Sequence, residues 1–221
     1  MKRMGRQRVM VLVSGGIESL VLVRTCLRRL FVVQPVYIQC GLQWEAVERT
    51  WVARWLSRLR HPRLLPVHLI ELPVRTLYAS HWSLSGRGVP SSVSPDAAVY
   101  LPGRNVLLTA AAAIYGSQRG ISTVALGTLG GNPFGDATPA FFRGFAACLR
   151  RALSQPVRLI APLRRSTKAQ LIAANPSLPF HLTWSCLNRR RGRHCGRCNK
   201  CAERRQAFHL ARFLDPTAYA S

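Results

Sequence analysis

Short apolar runs rich in Val, Ile and Leu alternate along the chain with longer stretches whose apolar residues recur at helical spacing. Five runs read as strands, at 9–13, 31–39, 65–72, 121–128 and 157–163. Helices are predicted over 19–29, 44–59, 105–119 and 141–154. A further helix runs to 175, with Ser166 as N-cap and Thr167 and Lys168 in its first turn, and a last one spans 202–213. Apolar strands separated by helices are the pattern of a parallel sheet buried on both faces. The expected fold is α/β: a doubly wound, mostly parallel five-stranded sheet with a small C-terminal four-cysteine module. Residues 1–180 make the α/β domain in this reading, and 181–221 the module with its terminal helix. The connection 73–100 is rich in Ser, Gly and Pro, and its length marks it as a lid-like insertion.

The first strand breaks into "SGGIES" before the first helix begins. In an open α/β sheet, ligands bind at the carboxyl ends of the strands, so this turn is the leading candidate for a site. Gly15 and Gly16 remove the Cβ atoms that would block a close backbone approach, and Ser14 and Ser19 add hydroxyls. The helix N-terminus supplies free N–H groups and a partial positive charge. The turn reads as an anion cradle suited to phosphate; a tight strand–helix turn without a ligand is the alternative. Neither G-x-x-x-x-G-K-[ST] nor G-x-G-x-x-G is present.

Composition adds one large fact. Lys and Arg total 32 against 8 acids, a net charge of +24, and only Lys2, Lys168 and Lys200 are lysines. A strongly basic surface attracts polyanions such as RNA and steers anionic nucleotides into a cleft. Contact with RNA through that surface and a merely solvated surface both remain open, because the arginines are dispersed except in "CLNRRRGRHCGRC". Hydrophobic residues at 48% and charged residues at 18% describe a globular chain. No apolar run approaches the roughly 18 residues of a membrane helix. The start imitates a signal peptide only briefly, so the expectation is a cytoplasmic protein without membrane contact.

Seven cysteines divide into two groups. Cys26, Cys40 and Cys148 are solitary in apolar settings and are expected to be buried thiols. Cys186, Cys195, Cys198 and Cys201 crowd together, which in a cytosolic chain points to metal. Four sulfurs at this spacing can close a tetrahedral zinc site, with Arg193, Arg197 and Arg204 nearby to offset thiolate charge. Iron–sulfur ligation is the rival, since C-x2-C-x2-C is also ferredoxin-like. His194 adjoins the cluster, but four cysteines already complete the shell; the other histidines lack partners in sequence.

Arg104 could fork onto a phosphate or carboxylate, or cap its loop. Asp136 either serves substrate or magnesium or closes an Asx turn. Trp44, Trp51 and Trp55 read as packing on one helix rather than a stacking platform.

"SGGIES" resembles the SGG-x-DS loop of the PP-loop ATP pyrophosphatases. With "YLPGRNVLLTAAAAIY", "GTLGGNPFGDATPAFF", "APLRRSTKAQLI" and "SCLNRRRGRHCGRCNKCAERRQAF", the order of motifs from about 9 to 208 resembles the 7-cyano-7-deazaguanine synthases. The resemblance implies a Rossmann-like PP-loop fold and a homodimer. It places ATP on Val13, Ser14, Gly15, Gly16, Ile17, Glu18, Ser19 and Leu20, with Mg²⁺, and Lys168 near the nucleotide phosphates. It makes the four cysteines zinc ligands. The implied reaction converts 7-carboxy-7-deazaguanine and ammonia to the nitrile through two adenylations, with Lys168, Arg104 and Asp136 as the candidate catalytic residues. Three departures mark this chain: Glu18 stands where the family has Asp, "GLQWEAVE" replaces Gln-Arg-His, and "GGN" replaces Glu-Thr-Asp. The last two fall where substrate recognition is expected. A related PP-loop enzyme acting on RNA, such as a tRNA-thiolating enzyme, is the second reading. A zinc-knuckle nucleic-acid-binding protein without catalysis is the third.

Overall fold

The computed structural model describes residues 7–188 and 192–220. Lys2 and the start of the chain, and the three arginines 189–191 of the dense basic block, lie outside the described residues.

Five strands, β1 (Arg8–Leu12), β2 (Val32–Gln39), β3 (His68–Glu71), β4 (Thr123–Ala125) and β5 (Arg158–Ile160), pair in parallel in the order β3-β2-β1-β4-β5. The helices, in chain order, are α1 (Ile17–Arg28), α2 (Glu45–Arg58), α3 (Arg75–Tyr78), α4 (Trp82–Ser85), α5 (Arg104–Ser117), α6 (Pro139–Leu153), α7 (Lys168–Ala173) and α8 (Asn199–Leu210). Residues of β1 alternate between two cores, as a pleated strand requires. Met10 faces Ala112, Ala113 and Phe142. Val9 and Val11 face Leu20, Leu171 and Phe208. The sheet therefore matches the expected doubly wound, parallel plan, and its order reverses between β1 and β4. The crevice at their carboxyl ends is where such sheets bind ligands.

Three expectations need correction. Thr167, not Ser166, is the N-cap of α7, because Gln170 then falls three residues on and completes a reciprocal capping box. The last helix begins at Asn199, since Cys198 takes the extended N-cap conformation and the chain coils at once behind it. Cys201 consequently sits on the helix rather than before it. Cys26 and Cys40 are buried, but Cys148 is exposed on the outer side of α6.

The insertion 73–100 carries α3, α4 and a short 3-10 turn at Asp96–Val99. It is stitched to the cysteine segment: Ser92 N–H donates to Arg197 O (2.8 Å), Asn199 N–H to Pro90 O (3.0 Å), and the Asn199 amide to Ser94 O (2.8 Å). Among the described residues no helix is long and apolar enough to cross a membrane.

Candidate active site

The turn after β1 is built by its own hydroxyls. Ser14 N–H donates to Ser19 Oγ (2.8 Å), the two serine hydroxyls lie 3.1 Å apart, and Gly16 N–H donates to Ser14 Oγ (3.3 Å). Gly16 is the N-cap of α1 and has no side chain to satisfy the first-turn N–H groups. A Cβ on Gly16 would meet Glu18 Oε2 at 3.0 Å and Ser14 Oγ at 3.5 Å, so the missing side chain is what keeps the cradle open. Val13, Ser14, Gly16, Glu18 and Ser19 line a cavity of about 520 Å³, while Ile17 and Leu20 are fully buried beneath it. Gly15 is committed elsewhere, its carbonyl accepting the Trp184 N–H at 2.7 Å.

Lys168 enters the same cavity from the first turn of α7. Its Nζ lies 2.9 Å from Glu18 Oε1 and 2.6 Å from Glu203 Oε1, with the side chain 10% exposed. Burial works against the charge, but Glu18 and then Glu203 outweigh it and raise Lys168 above the ordinary lysine range. Glu203 in turn receives Lys200 at 2.7 Å. Glu18 thus reaches the lysine with its longer side chain.

Arg104, which also lines the cavity, begins α5 and carries a buried Nε without a hydrogen-bond partner among the described residues. Asn105 anchors that helix end: its N–H and its amide reach the Asp136 carboxylate at 3.1 and 3.3 Å. Asp136 is not among the cavity-lining residues; it caps the start of α5 through Asn105. Tyr37, Trp44 and Glu48 also line the cavity, as does the 126–134 segment. Glu48 accepts the Tyr37 hydroxyl at 2.8 Å. Burial raises the Glu48 carboxyl above the usual range against the pull of Tyr37, Arg104 and the Gly15 N–H. Glu45, one turn earlier, accepts the N–H groups of Cys40 and Gly41, both at 2.8 Å, and so ties α2 to the end of β2.

The four clustered cysteines are all buried, and their Sγ atoms lie within 4.8 Å of one another. One tetrahedral ion at about 2.3 Å from each sulfur sets its ligands about 3.8 Å apart, which a cluster held within 4.8 Å can accommodate. Ligands spread over several irons would stand wider. Backbone N–H groups of Asn188 and Cys195 point at Cys186 Sγ (both 3.3 Å), and the Asn188 amide at Cys195 Sγ (3.2 Å). Such donors stabilise anionic sulfur, as a metal-binding cluster requires. His194 stays outside the shell, its Nε2 accepting the Ser185 N–H at 3.0 Å. Arg204 is fully buried beside the cluster but is bonded to Thr217, Thr183 and Phe180 rather than to sulfur.

A family model described as queuosine biosynthesis protein QueC matches residues 8–212. The chain belongs to the QueC family. Proteins named 7-cyano-7-deazaguanine synthase from Brucella ovis, Brucella suis and Brucella abortus are 36% identical to it over 170 residues, covering 70% of this chain and 71% of theirs. A solved structure titled a 4-thiouridine synthetase–RNA complex with bound ATP shares the fold, with a TM-score of 0.54 at 15% identity. That alignment covers 96% of this chain and 47% of the other. This QueC-family chain is therefore an enzyme of queuosine biosynthesis.

Of the residues singled out in sequence, the cavity brings together Val13, Ser14, Gly16, Glu18, Ser19, Lys168 and Arg104, and the four cysteines cluster. Tyr37, Trp184, Lys200 and Glu203 also line it without having been singled out, and Glu48 does so from the "GLQWEAVE" segment. Glu48 had one available signal: it is one of only 8 acids, inside the "GLQWEAVE" departure. Lys200 had a comparable one, as one of three lysines.

Proposed function

We propose that this chain is an ATP-dependent carbon–nitrogen ligase that converts 7-carboxy-7-deazaguanine and ammonia to 7-cyano-7-deazaguanine, acting in the cytoplasm as a homodimer. The observation that carries the reading is one cavity shared by an anion cradle and a recess of different character. Ser14, Gly16, Ser19 and Lys168 supply hydroxyls, backbone N–H groups and an ammonium. Tyr37, Trp44, Glu48 and Arg104 bring ring faces, a buried carboxyl and a guanidinium to the same cavity, Glu48 lying against the glycine turn.

In this reading the cradle holds the phosphates of ATP, and Lys168 neutralises charge on the departing pyrophosphate. Arg104, with Nε free, binds the substrate carboxylate; Asp136 positions Arg104 by capping α5 through Asn105. Glu48, held toward its neutral form, faces the polar edge of the base. Magnesium, when bound, supplies further charge neutralisation, and Glu18 is the carboxylate of the cradle suited to hold it together with phosphate oxygens. Zinc on the four cysteines is structural in this account, because no open coordination position is left for substrate. The 73–100 insertion, which brings Asp96 to the cavity wall, keeps water from the activated acyl group.

The test is a reaction of purified protein with ATP, Mg²⁺, ammonium and 7-carboxy-7-deazaguanine, read by mass spectrometry beside a pyrophosphate assay. Nitrile and pyrophosphate together are expected. Neither nitrile nor amide from folded, ATP-binding protein would overturn the substrate assignment. Iron in the cysteine site, with tRNA binding that weakens steeply with salt, would move the chain to a tRNA-thiolating reading.

A further inference from the structure

We propose that Lys200, carried on the metal module, is a second phosphate-binding residue of the nucleotide cavity, and that Glu203 is the positioning residue that holds it paired with Lys168. The proposal deepens the nucleotide reading above and rests on it.

The geometry is a three-residue chain. Lys168 Nζ meets Glu203 Oε1 at 2.6 Å, and Lys200 Nζ meets Glu203 Oε2 at 2.7 Å, one oxygen to each ammonium. All three residues line the cavity beside Glu18 and the glycine turn. Lys200 is the more open of the two, with 29% of its side chain exposed against 10% for Lys168.

Three further observations separate this arrangement from an ordinary surface ion pair. The chain uses Arg almost throughout, yet both described lysines converge on one carboxylate. A compact ammonium on a flexible stem can swing from a carboxylate to a phosphate, whereas a planar guanidinium is committed to its fork. The charges also need Lys200. Glu18, Lys168 and Glu203 alone sum to one net negative charge, which repels an arriving triphosphate; adding Lys200 brings the group to neutrality. Finally, Lys200 lies in the first turn of α8, where the helix dipole disfavours a cation, and that turn contains no acid. Within α8 that charge is offset by Glu203 alone, the same carboxylate that holds Lys168.

The experiment titrates zinc-loaded, full-length protein with ATP, pyrophosphate and AMP, comparing wild type with Lys200→Ala, Lys200→Gln and Lys200→Arg. Both neutral variants are expected to weaken ATP and pyrophosphate by about tenfold or more while AMP changes by less than about twofold. Zinc content and melting temperature stay at the wild-type values, and Lys200→Arg recovers part of the loss. Glu203→Gln removes a negative charge. If that charge merely repelled anions, pyrophosphate would bind more tightly; as a positioning residue its loss lowers kcat without that gain. Unchanged pyrophosphate affinity in both neutral variants, or an equal loss for AMP, overturns the proposal. Wild type that binds neither ATP nor pyrophosphate overturns the nucleotide reading itself, and the proposal falls with it.

Discussion

Replacing Gly15 with Ala tests whether the turn is shaped by close approach. A Cβ at Gly15 would stand 2.8 Å from Trp184 Cβ, 2.9 Å from Glu48 Cγ and 3.3 Å from the Trp184 carbonyl oxygen. Neither neighbour yields easily. Trp184 is 1% exposed and bonded through its N–H to Gly15 itself, while Glu48 is buried and bonded to Tyr37. Overpacking of this kind costs about 1–3 kcal/mol. For a domain of this size that lowers Tm by roughly 2–12 °C. Gly144 is the opposite case: it is exposed within α6, and a Cβ there meets nothing within 4 Å. Gly144→Ala is expected to stabilise by about 0.5–1 kcal/mol through helix propensity. Calorimetry on both variants gives the comparison, with ATP titration showing whether Gly15→Ala also loses the cradle. A Gly15→Ala protein that melts at or above wild type, or a Gly144→Ala protein that falls as far, refutes the reasoning.

Stripping the metal with a strong chelator should release the 90–94 stretch as well as the cysteines, seen as faster hydrogen exchange at both; protection unchanged at 90–94 after complete metal loss would contradict this. Burial pushes the Glu203 carboxyl up, but Lys168 and then Lys200 pull it from 4.5 down to about 2. With a depressed folded pKa, its contribution is full above about 4.5 and disappears as pH falls toward about 2. Urea denaturation across that window should therefore show wild type losing its advantage over Glu203→Gln, and parallel curves would exclude the linkage. Arg204→Met should cost about 3–5 kcal/mol by urea denaturation, because it takes a fully buried cation from Asp215, 3.8 Å away, together with its bonds to Thr217, Thr183 and Phe180. A loss under about 1 kcal/mol would show those bonds to be dispensable.

Local signals carried the plan of the fold. The apolar runs predicted all five strands, and the cysteine spacing predicted the cluster, because a strand or a C-x2-C turn is decided by adjacent residues. Boundaries slipped where two neighbours could do one job, as with Ser166 and Thr167 at the start of α7. Cys148 misled because its neighbours are apolar but its side of α6 faces water. The carboxylate half of the site was illegible for a different reason. Glu203 reaches Lys168 from another element, and Glu48 lies under a glycine far from it in sequence, so no spacing rule pairs them. The glycine turn and the family resemblance both pointed to the cradle; only the folded chain revealed the carboxylates that pair its lysine.

The bond from Trp184 N–H to Gly15 O has a consequence for how the protein is made. Most of the chain separates the two residues, and the stitch from 90–94 to 197–199 waits on the same late segment. As the chain leaves the ribosome, β1, α1 and β2 can pair early, since their contacts are near in sequence. The cavity wall closes only when residues 184–201 arrive. A translating chain therefore carries a formed sheet with an unfinished site until that last segment arrives.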